Sequence, residues 1–356
     1  MQQANNERAS SMSGRQLSTK GYLAVLIAML VILVLVALVA LVAGRYDLGV
    51  GESLRILFSP ILKTAKDWST TAESVIFNLR VPRIITAILV GAALALSGAA
   101  YQSMFKNPMV SPDILGVSSG ASVGASIAIV LNMGQFGIQV WAFAFGALAV
   151  LMTTTIPKML KSNNSVIMLV LAGVIVGGLM NSVLGIVKFI AASSSDTALA
   201  DLTFWQMGSM KKVVMSDILA VAPLMIITMM ILLLIRYRLN VLSLGEMEAK
   251  SLGVHVGRTQ AVVIVCATLL TALSVCLCGT VGWVGMVVPH LGRMLVGVDN
   301  RKLLPVTVIM GAAFLVGIDT LARTLTAAEL PLGILTGIIG APFYFFLLYR
   351  QRRTMQ

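Results

Sequence analysis

The chain has 356 residues, of which 58% are hydrophobic and only 11% are charged, and its formal net charge is +12. This composition excludes an ordinary soluble domain and indicates a polytopic membrane protein. The positive charge does not indicate nucleic-acid binding, because the Lys and Arg residues lie in connectors between apolar runs instead of clustering on one polar domain.

Histidine and cysteine are too few to indicate a metal site. The three cysteines, Cys266, Cys276 and Cys278, fall in one apolar run, where we interpret them as small packing residues. The only two histidines are His255 and His290. We therefore predict that the chain binds no metal and has no disulfide framework.

No motif for nucleotide binding or catalysis occurs in the sequence. The G-x-x-x-x-G-K-[ST] phosphate loop and the H-E-x-x-H zinc motif are both absent. We predict that the chain is not an enzyme and holds no cofactor of its own.

The N-terminus begins with a polar stretch, residues 1–20, which includes Arg8, Arg15 and Lys20. The apolar run that follows is too long for the core of a signal peptide. We interpret it as a retained first span, preceded by a cytoplasmic tail.

Ten apolar runs are long enough to be candidate spans. Between Gln260 and Val298 the pattern fits either one very long helix or two spans joined near Gly279–Gly282. Two spans keep the basic C-terminal cluster on the same side as the N-terminus, as the positive-inside rule favours. The predicted spans are Gly21–Ala43, Ile84–Phe105, Ile114–Met133, Ile138–Pro157, Val166–Ile190, Asp217–Ile235, Gln260–Cys278, Trp283–Val296, Leu303–Leu321 and Leu332–Tyr349.

The predicted fold is thus an all-α polytopic membrane protein with about ten transmembrane helices and both termini in the cytoplasm. Residues 1–20 form the N-terminal tail, 21–349 the transmembrane domain and 350–356 the C-terminal tail.

The connector Asn240–Arg258 is compact and charged, and it lies between two long apolar runs. Ser243 and Glu246 have the spacing of a capping box, and Gly253 is a natural helix stop. We predict a helix from Leu244 to Leu252 that projects from the membrane as a rigid docking site. The alternative is an interfacial connector that has no partner.

The connector Lys106–Asp113 contains two candidate helix starts, Asn107-Pro108 and Ser111-Pro112. Capping alone accounts for these residues. A broken backbone at the membrane face also suits a gate, because non-helical backbone at that depth must be buried in protein or face water.

Glycines at four-residue spacing, Gly116, Gly120 and Gly124, form a ladder that favours close helix packing. The alternative is that these small residues line a pathway.

Three arginines, Arg80, Arg83 and Arg323, are expected on the outer side, where positive charge is under-represented. They either reach toward lipid headgroups or bind an anionic partner. Asp319, near the end of a span, is the best candidate for an intramembrane acid.

Several of these stretches together resemble the permease subunits of type II ABC importers, the family that carries iron–siderophore chelates, haem and vitamin B12. They occur in order over nearly the whole chain. They are Leu79–Arg83 (LRVPR), Gly91–Gly98 (GAALALSG) with Gln102, Asn107–Ala121 (NPMVSPDILGVSSGA), Leu244–Glu246 (LGE), Ser251–Gly253 (SLG), Pro289–His290 (PH) with Arg293, Glu329–Gly333 (ELPLG) and Gly340–Pro342 (GAP).

The resemblance implies a subunit of a larger assembly in the bacterial cytoplasmic (inner) membrane. Such a permease works with a second, identical or related, permease chain, two ATPase subunits and an extracytoplasmic substrate-binding protein. ATP and Mg bind the ATPase, and no nucleic acid is involved. Transport proceeds by alternating access.

The resemblance also implies roles for particular residues. Residues 243–258 match the coupling helices that dock on the ATPase. Arg80, Arg83 and Arg323 match arginines that contact the binding protein. The implied docking residues are Ser243, Leu244, Gly245, Glu246, Ala249, Lys250, Leu252 and Gly253, and the implied gate or pathway residues are Asn107, Pro108, Met109, Ser165, Gly116 and Gly120. Ser165 is the weakest match, because Val166 is apolar where a hydroxyl residue is expected.

We predict import of a metal chelate, with an iron–siderophore first and haem, cobalamin or an oxyanion as alternatives. Two other classes stay open. An ion-coupled secondary transporter would need an intramembrane acid such as Asp319. A membrane scaffold or channel would need no energy coupling.

Overall fold

The computed structural model describes residues 18–62, 66–160, 165–194 and 196–355, and every regular element in these ranges is helical. Most of the predicted N-terminal tail lies outside them. The predicted C-terminal tail continues the last helix as far as Met355.

Fourteen helices follow one another in the described residues. They are α1 (Thr19–Val42), α2 (Val50–Leu62), α3 (Thr70–Met104, with π-helical Val75–Arg80), α4 (Val117–Val130), α5 (Gln135–Met159), α6 (Ser165–Ser194), α7 (Asp196–Gln206), α8 (Met215–Leu234), α9 (Arg236–Leu244), α10 (Glu246–Ser251), α11 (Val256–Cys278), α12 (Val284–Val296), α13 (Asn300–Leu325) and α14 (Leu332–Met355).

Each of the ten predicted spans corresponds to one of these helices. Seven helices are long and apolar enough to cross a membrane: α1, α3, α5, α6, α8, α11 and α13. Three shorter apolar helices, α4, α12 and α14, account for the other three predicted spans. The all-helical, multi-span prediction is confirmed, while the side on which the termini lie stays a prediction.

The chain breaks between α11 and α12, as the choice of two spans requires. Gly279 ends α11 with φ +71°, and Trp283 has φ +68°. Few residues other than glycine adopt positive φ, so the backbone turns sharply here. The prediction of two consecutive helices, instead of one very long helix, is therefore correct.

Helix α3 is the central element, since small residues along it bring neighbouring helices close. A β-carbon at Gly91 would overlap the Gly311 carbonyl of α13, and one at Gly311 would overlap the Gly91 carbonyl. A β-carbon at Gly98 would likewise overlap the Gly285 carbonyl of α12. These contacts bring helix backbones together where van der Waals packing drives association.

The glycine ladder of α4 has the packing role. Gly120 and Gly124 lie against the Phe145 and Trp141 carbonyls of α5, leaving no room for a β-carbon. Gly116, at φ +79°, precedes α4 and faces the backbone of α6. The predicted packing role is therefore confirmed for Gly120 and Gly124, while a pathway role for Gly116 and Gly120 stays a prediction.

The outer segment before the second predicted span is more helical than its polar sequence indicates. It contains α2, and α3 already begins at Thr70. Arg80 and Arg83 therefore lie inside a continuous helix. The helix thus begins well before the predicted span Ile84–Phe105, because π-helical turns join the outer segment to the span without a break.

We predict that Gly91→Ala destabilises the fold by about 1–3 kcal/mol, because the added methyl group must force apart two helix backbones. The measurement is the midpoint of thermal unfolding in detergent. Gly257→Ala is the matched control, since nothing lies within 4 Å of the added β-carbon there. Equal midpoints for the two variants would contradict the central role of this contact.

Candidate functional site

The residues that the sequence nominates lie at two ends of the helix bundle. One end holds Tyr22 of α1 beside Leu303 of α13, and we call it the inner end, because the charge pattern assigns it to the cytoplasm. The opposite end holds Arg83 and Asp319, and we call it the outer end.

At the inner end, the docking segment (residues 243–258) departs from the predicted helix Leu244–Leu252. Gly245 has φ +148° and separates α9 from α10, so the docking helix begins at Glu246. The Ser243 hydroxyl donates to the Asn240 carbonyl at 2.6 Å. The predicted capping box is wrong because glycine geometry breaks the helix inside it.

The predicted stop at Gly253 is confirmed. Its φ is +77°, its N–H donates to Lys250 at 3.0 Å, and the Val254 N–H donates to Ala249 at 2.9 Å. This pair of bonds is a Schellman motif, which fixes the end of the helix. Ala249 is fully buried and attaches the helix to the bundle.

Three large apolar side chains of the docking segment are uncovered. Met247 is 78% exposed, Leu244 62% and Leu252 60%. Lipid explains exposed apolar residues along a span, but this segment lies beyond the ends of the predicted spans. Sequence reasoning missed Met247, because only the fold shows which side of a six-residue helix stays open.

The predicted gate segment, Lys106–Asp113, begins with a turn stabilised by hydrogen bonds, and we call residues 105–111, between α3 and the next helical turn, the gate loop. Lys106 has φ +52°, and the Asn107 side-chain oxygen accepts from the Met109 N–H at 2.9 Å. No helix begins at Asn107-Pro108, so this predicted start is wrong. The second start is confirmed, because the Ser111 hydroxyl caps the 3₁₀ turn Pro112–Leu115.

Two side chains from elsewhere hold the gate loop in place. The Tyr344 hydroxyl of α14 donates to the Pro108 carbonyl at 2.9 Å. Gln102 donates from Nε2 to the carbonyls of Val110 and Gly285, each at 3.1 Å, and accepts a short hydrogen bond from Arg293. Asn107, Pro108 and Met109 themselves are exposed at the inner end.

At the outer end, Arg83 is the centre of a buried ion-pair cluster. Its guanidinium lies 2.8 Å from Asp319 and 2.9 Å from Glu329. Arg323 lies 3.7 Å from Asp319, one turn along the same helix. Asp319, the candidate intramembrane acid, therefore lies between two cations, which does not suit a carboxylate that must exchange protons freely.

The other two arginines bind backbone at the end of α1. Arg80 donates to the carbonyls of Leu41 and Tyr46, each at 2.6 Å. Arg323 donates to the Ala40 carbonyl, while its buried Nε has no hydrogen-bond partner. All three arginines are at most 9% exposed, and they border a cavity of about 220 Å³.

Helix α6 carries a face that the sequence analysis did not single out. Gly178, Asn181, Ser182 and Gly185 are all exposed, and their spacing puts them on one side of the helix. We call this side the polar face of α6. Ser182 already donates to the Gly178 carbonyl at 3.0 Å, and the exposed amide of Asn181 would be costly against lipid and suits water or protein. Ser165 begins α6, but its side chain lies outside the described residues.

Comparisons with known proteins agree with this arrangement. The model of the FecCD transport family matches residues 20–350. The molybdate import system permease protein MolB of Haemophilus influenzae is 38% identical over 312 residues, which cover 87% of this chain and 90% of MolB. The cobalamin import system permease protein BtuC of Halobacterium salinarum is 41% identical over 279 residues, covering 78% and 74%.

A solved structure also matches over nearly the whole fold. It is described as an inward-facing conformation of a metal-chelate type ABC transporter. The TM-score is 0.80 at 35% sequence identity, and the match covers 92% of this chain and 99% of that chain.

We predict that Tyr344→Phe loosens the gate loop. The variant removes one hydrogen bond worth about 1 kcal/mol, which corresponds to about fivefold more opening. The reporter is Val110→Cys, a buried position within the loop, labelled by a water-soluble thiol reagent. The three native cysteines are buried and give little background.

Tyr46→Phe is the control for this measurement, since it removes a tyrosine hydroxyl at the outer end, where Tyr46 pairs with Ser69 at 3.3 Å. Labelling of Val110→Cys that rises equally in both variants, or in neither, would show that Tyr344 does not hold the loop.

Proposed function

The chain belongs to the FecCD transport family and is an ABC importer permease, and we propose that it imports a metal chelate, with an iron–siderophore as the first candidate. The likeness to a metal-chelate type ABC transporter over 92% of the chain supports this cargo class. Haem and cobalamin are cargoes of the same class.

A second candidate is an oxyanion. It is favoured by the identity of 38% to a molybdate permease, over most of both chains. The passage in an importer of this kind is completed by a second permease. Cavities within the described residues of one chain therefore do not distinguish a metal chelate from an oxyanion.

The proposed partners follow from surfaces that the single chain leaves open. The docking segment, through Met247, Leu244 and Leu252, would seat on an ATPase that binds ATP and Mg. This uncovered apolar surface beyond the ends of the spans is the observation that carries the proposal. Of the other classes of function, a secondary transporter and an uncoupled channel need no such surface, whereas a membrane scaffold would differ from an importer in moving no cargo with ATP.

The polar face of α6 would line the passage between this chain and a second permease. Its glycines and Asn181 offer space and hydrogen bonds to a hydrated cargo without a tight site. The gate loop, with Asn107, Pro108 and Met109, would close the inner mouth.

The outer arginines would meet acidic residues of an extracytoplasmic binding protein. Arg83 is already paired with two carboxylates, and Arg80 with two carbonyls. Arg323 donates to one carbonyl, and its buried Nε lies 3.7 Å from Asp319, beyond hydrogen-bond distance. Because Arg323 is the least completely hydrogen-bonded of the three, we assign it the leading part in that contact. The membrane would be the bacterial cytoplasmic membrane, with both termini of the chain in the cytoplasm.

The cargo is tested by uptake into native cells with and without the chain. Four radioactive probes are compared, namely a ferric siderophore, haem, cobalamin and molybdate. We expect loss of ferric siderophore uptake in cells that lack the chain, and loss in wild-type cells depleted of ATP. Loss of molybdate uptake alone would replace the metal-chelate proposal with the oxyanion one.

The docking proposal predicts that Met247→Glu weakens recovery of the ATPase with the purified chain at least tenfold, because burying an unpaired charge at an interface costs several kcal/mol. Met159→Glu is the matched control. Met159 is 76% exposed and ends α5, outside the docking segment. Equal recovery of the ATPase by both variants would refute the docking role of Met247.

A further inference from the structure

A chain of hydrogen-bonded side chains at the inner end links the docking segment to the gate loop. We propose that Asn240 is a positioning residue that transmits movement of the docking segment, through the start of α13, to the end of α3 and the gate loop. The proposal rests on the proposed function, in which an ATPase moves the docking segment.

Asn240 uses both ends of its side-chain amide. Its Nδ2 donates to Asp299 Oδ1 at 2.6 Å, and its Oδ1 accepts from the Asn300 backbone N–H at 2.8 Å. A donor and an acceptor on one short side chain are what this pair of partners requires. Asn240 lies on α9, one glycine break before the docking helix α10, so any displacement of α10 acts on it through packed backbone.

Helix α9 is firmly held, so it can pass on such a displacement. Leu239, Val241 and Leu242 are buried in the main core. The Ser243 hydroxyl ties the end of the helix back to the Asn240 carbonyl. Only Gly245 separates this helix from the docking helix, so the connector between the docking helix and α9 is a single residue.

From Asn240 the contacts continue into α3. Asn300 is 2% exposed, and Ser103 Oγ lies 2.8 Å from its Oδ1. Ser103 is also 2.8 Å from the Ala99 carbonyl, and its single hydroxyl proton serves one acceptor at a time. The Ser103–Asn300 hydrogen bond can therefore break while Ser103 stays hydrogen-bonded to the Ala99 carbonyl, as a switching contact requires.

The end of α3 leads directly into the gate loop. Ser103 precedes the last residue of the helix, Met104, and the neighbouring Gln102 holds the loop through the Val110 carbonyl. A cavity of about 500 Å³ separates the gate loop from the docking segment, bordered by Asn107 on one side and Ser243 on the other. The two sites need an intermediary, and Asn240, Asn300 and Ser103 provide it.

The start of α13 is capped by Asp299 as well as by Asn240. The Asp299 side chain caps the helix by accepting from the Arg301 N–H at 2.9 Å and pairs with its guanidinium at 3.2 Å. Partial burial raises the pKa of Asp299, but hydrogen bonds from Arg301 and Asn240 outweigh it and hold this pKa below its ordinary value. Asp299 thus stays ionised and remains an acceptor for Asn240.

The test compares Asn240→Asp, Asp299→Asn and the double variant, each in the full complex of permease, ATPase and binding protein in proteoliposomes. Asn240→Asp replaces the donor with a second carboxylate, so we expect cargo moved per ATP to fall about tenfold, with recovery of the ATPase unchanged. The double variant restores a donor opposite an acceptor and keeps an acceptor for the Asn300 N–H. We expect it to recover most of the wild-type ratio.

A second readout separates positioning from a merely structural role. With Val110→Cys as the reporter, adding ATP should change thiol labelling in the wild-type background and in the double variant, but not with Asn240→Asp alone. Asn132→Asp, at an exposed turn with φ +52°, is the matched control and should behave as wild type. If Asn240→Asp does not fold, Ser103→Ala tests the last contact without adding charge, and we expect a smaller loss of the labelling response.

Each outcome either supports or overturns the positioning role of Asn240. A wild-type coupling ratio for Asn240→Asp, or for Ser103→Ala where Asn240→Asp does not fold, overturns the inference and leaves the proposed function intact. Loss of ATPase recovery, or failure of the double variant to restore coupling, also overturns it. If the wild-type chain itself retains no ATPase and moves no cargo with ATP, the proposed function fails and the inference falls with it.

Discussion

The backbone contact between α3 and α13 at Gly91 and Gly311 is the constraint on which the rest of the structure depends. Two helices that touch backbone to backbone cannot slide without separating, so the polar groups at their two ends are held in register. At the outer end this register brings Arg83 to Asp319, and at the inner end it brings Ser103 to Asn300. The single contact at Gly91 and Gly311 thus aligns the ion-pair cluster at the outer end of the bundle with the hydrogen-bonded side chains at the inner end.

The outer cluster is better understood as a device for specifying register than as a source of stability. Desolvating Arg83 and Asp319 costs much of what their attraction returns, whereas removing one partner leaves a buried charge unpaired. The cluster also joins α3 and α13 to the chain after α13, through Glu329. At the outer end, α3, α13 and the segment that follows α13 can therefore move together as one rigid body. Such a body can transmit movement, whereas a binding site that must open needs parts that separate.

The sequence predicts the spans well because hydrophobic length is a local property. It also predicts the break at Gly279 and the stop at Gly253, where glycine supplies a backbone that other residues resist. Prediction from the sequence fails where contacts with other parts of the chain determine the local structure. The start of the docking helix depends on Gly245, which looks compatible with a helix until its φ is known. The exposure of Met247 and the inward pairing of Arg83 depend on helices distant in sequence, which no local pattern encodes.

Two exposed side chains depart from the usual surface rules in a way that suits the proposed assembly. Along α6, Asn181 is exposed within a membrane span, where lipid would leave its amide unsatisfied. On α10, Met247 is exposed outside the spans, where water would meet an apolar side chain. A protein surface would cover Met247, and a protein surface or a hydrated passage would satisfy Asn181. The two side chains differ in chemistry and lie on different parts of the chain, which agrees with the two kinds of contact that we propose.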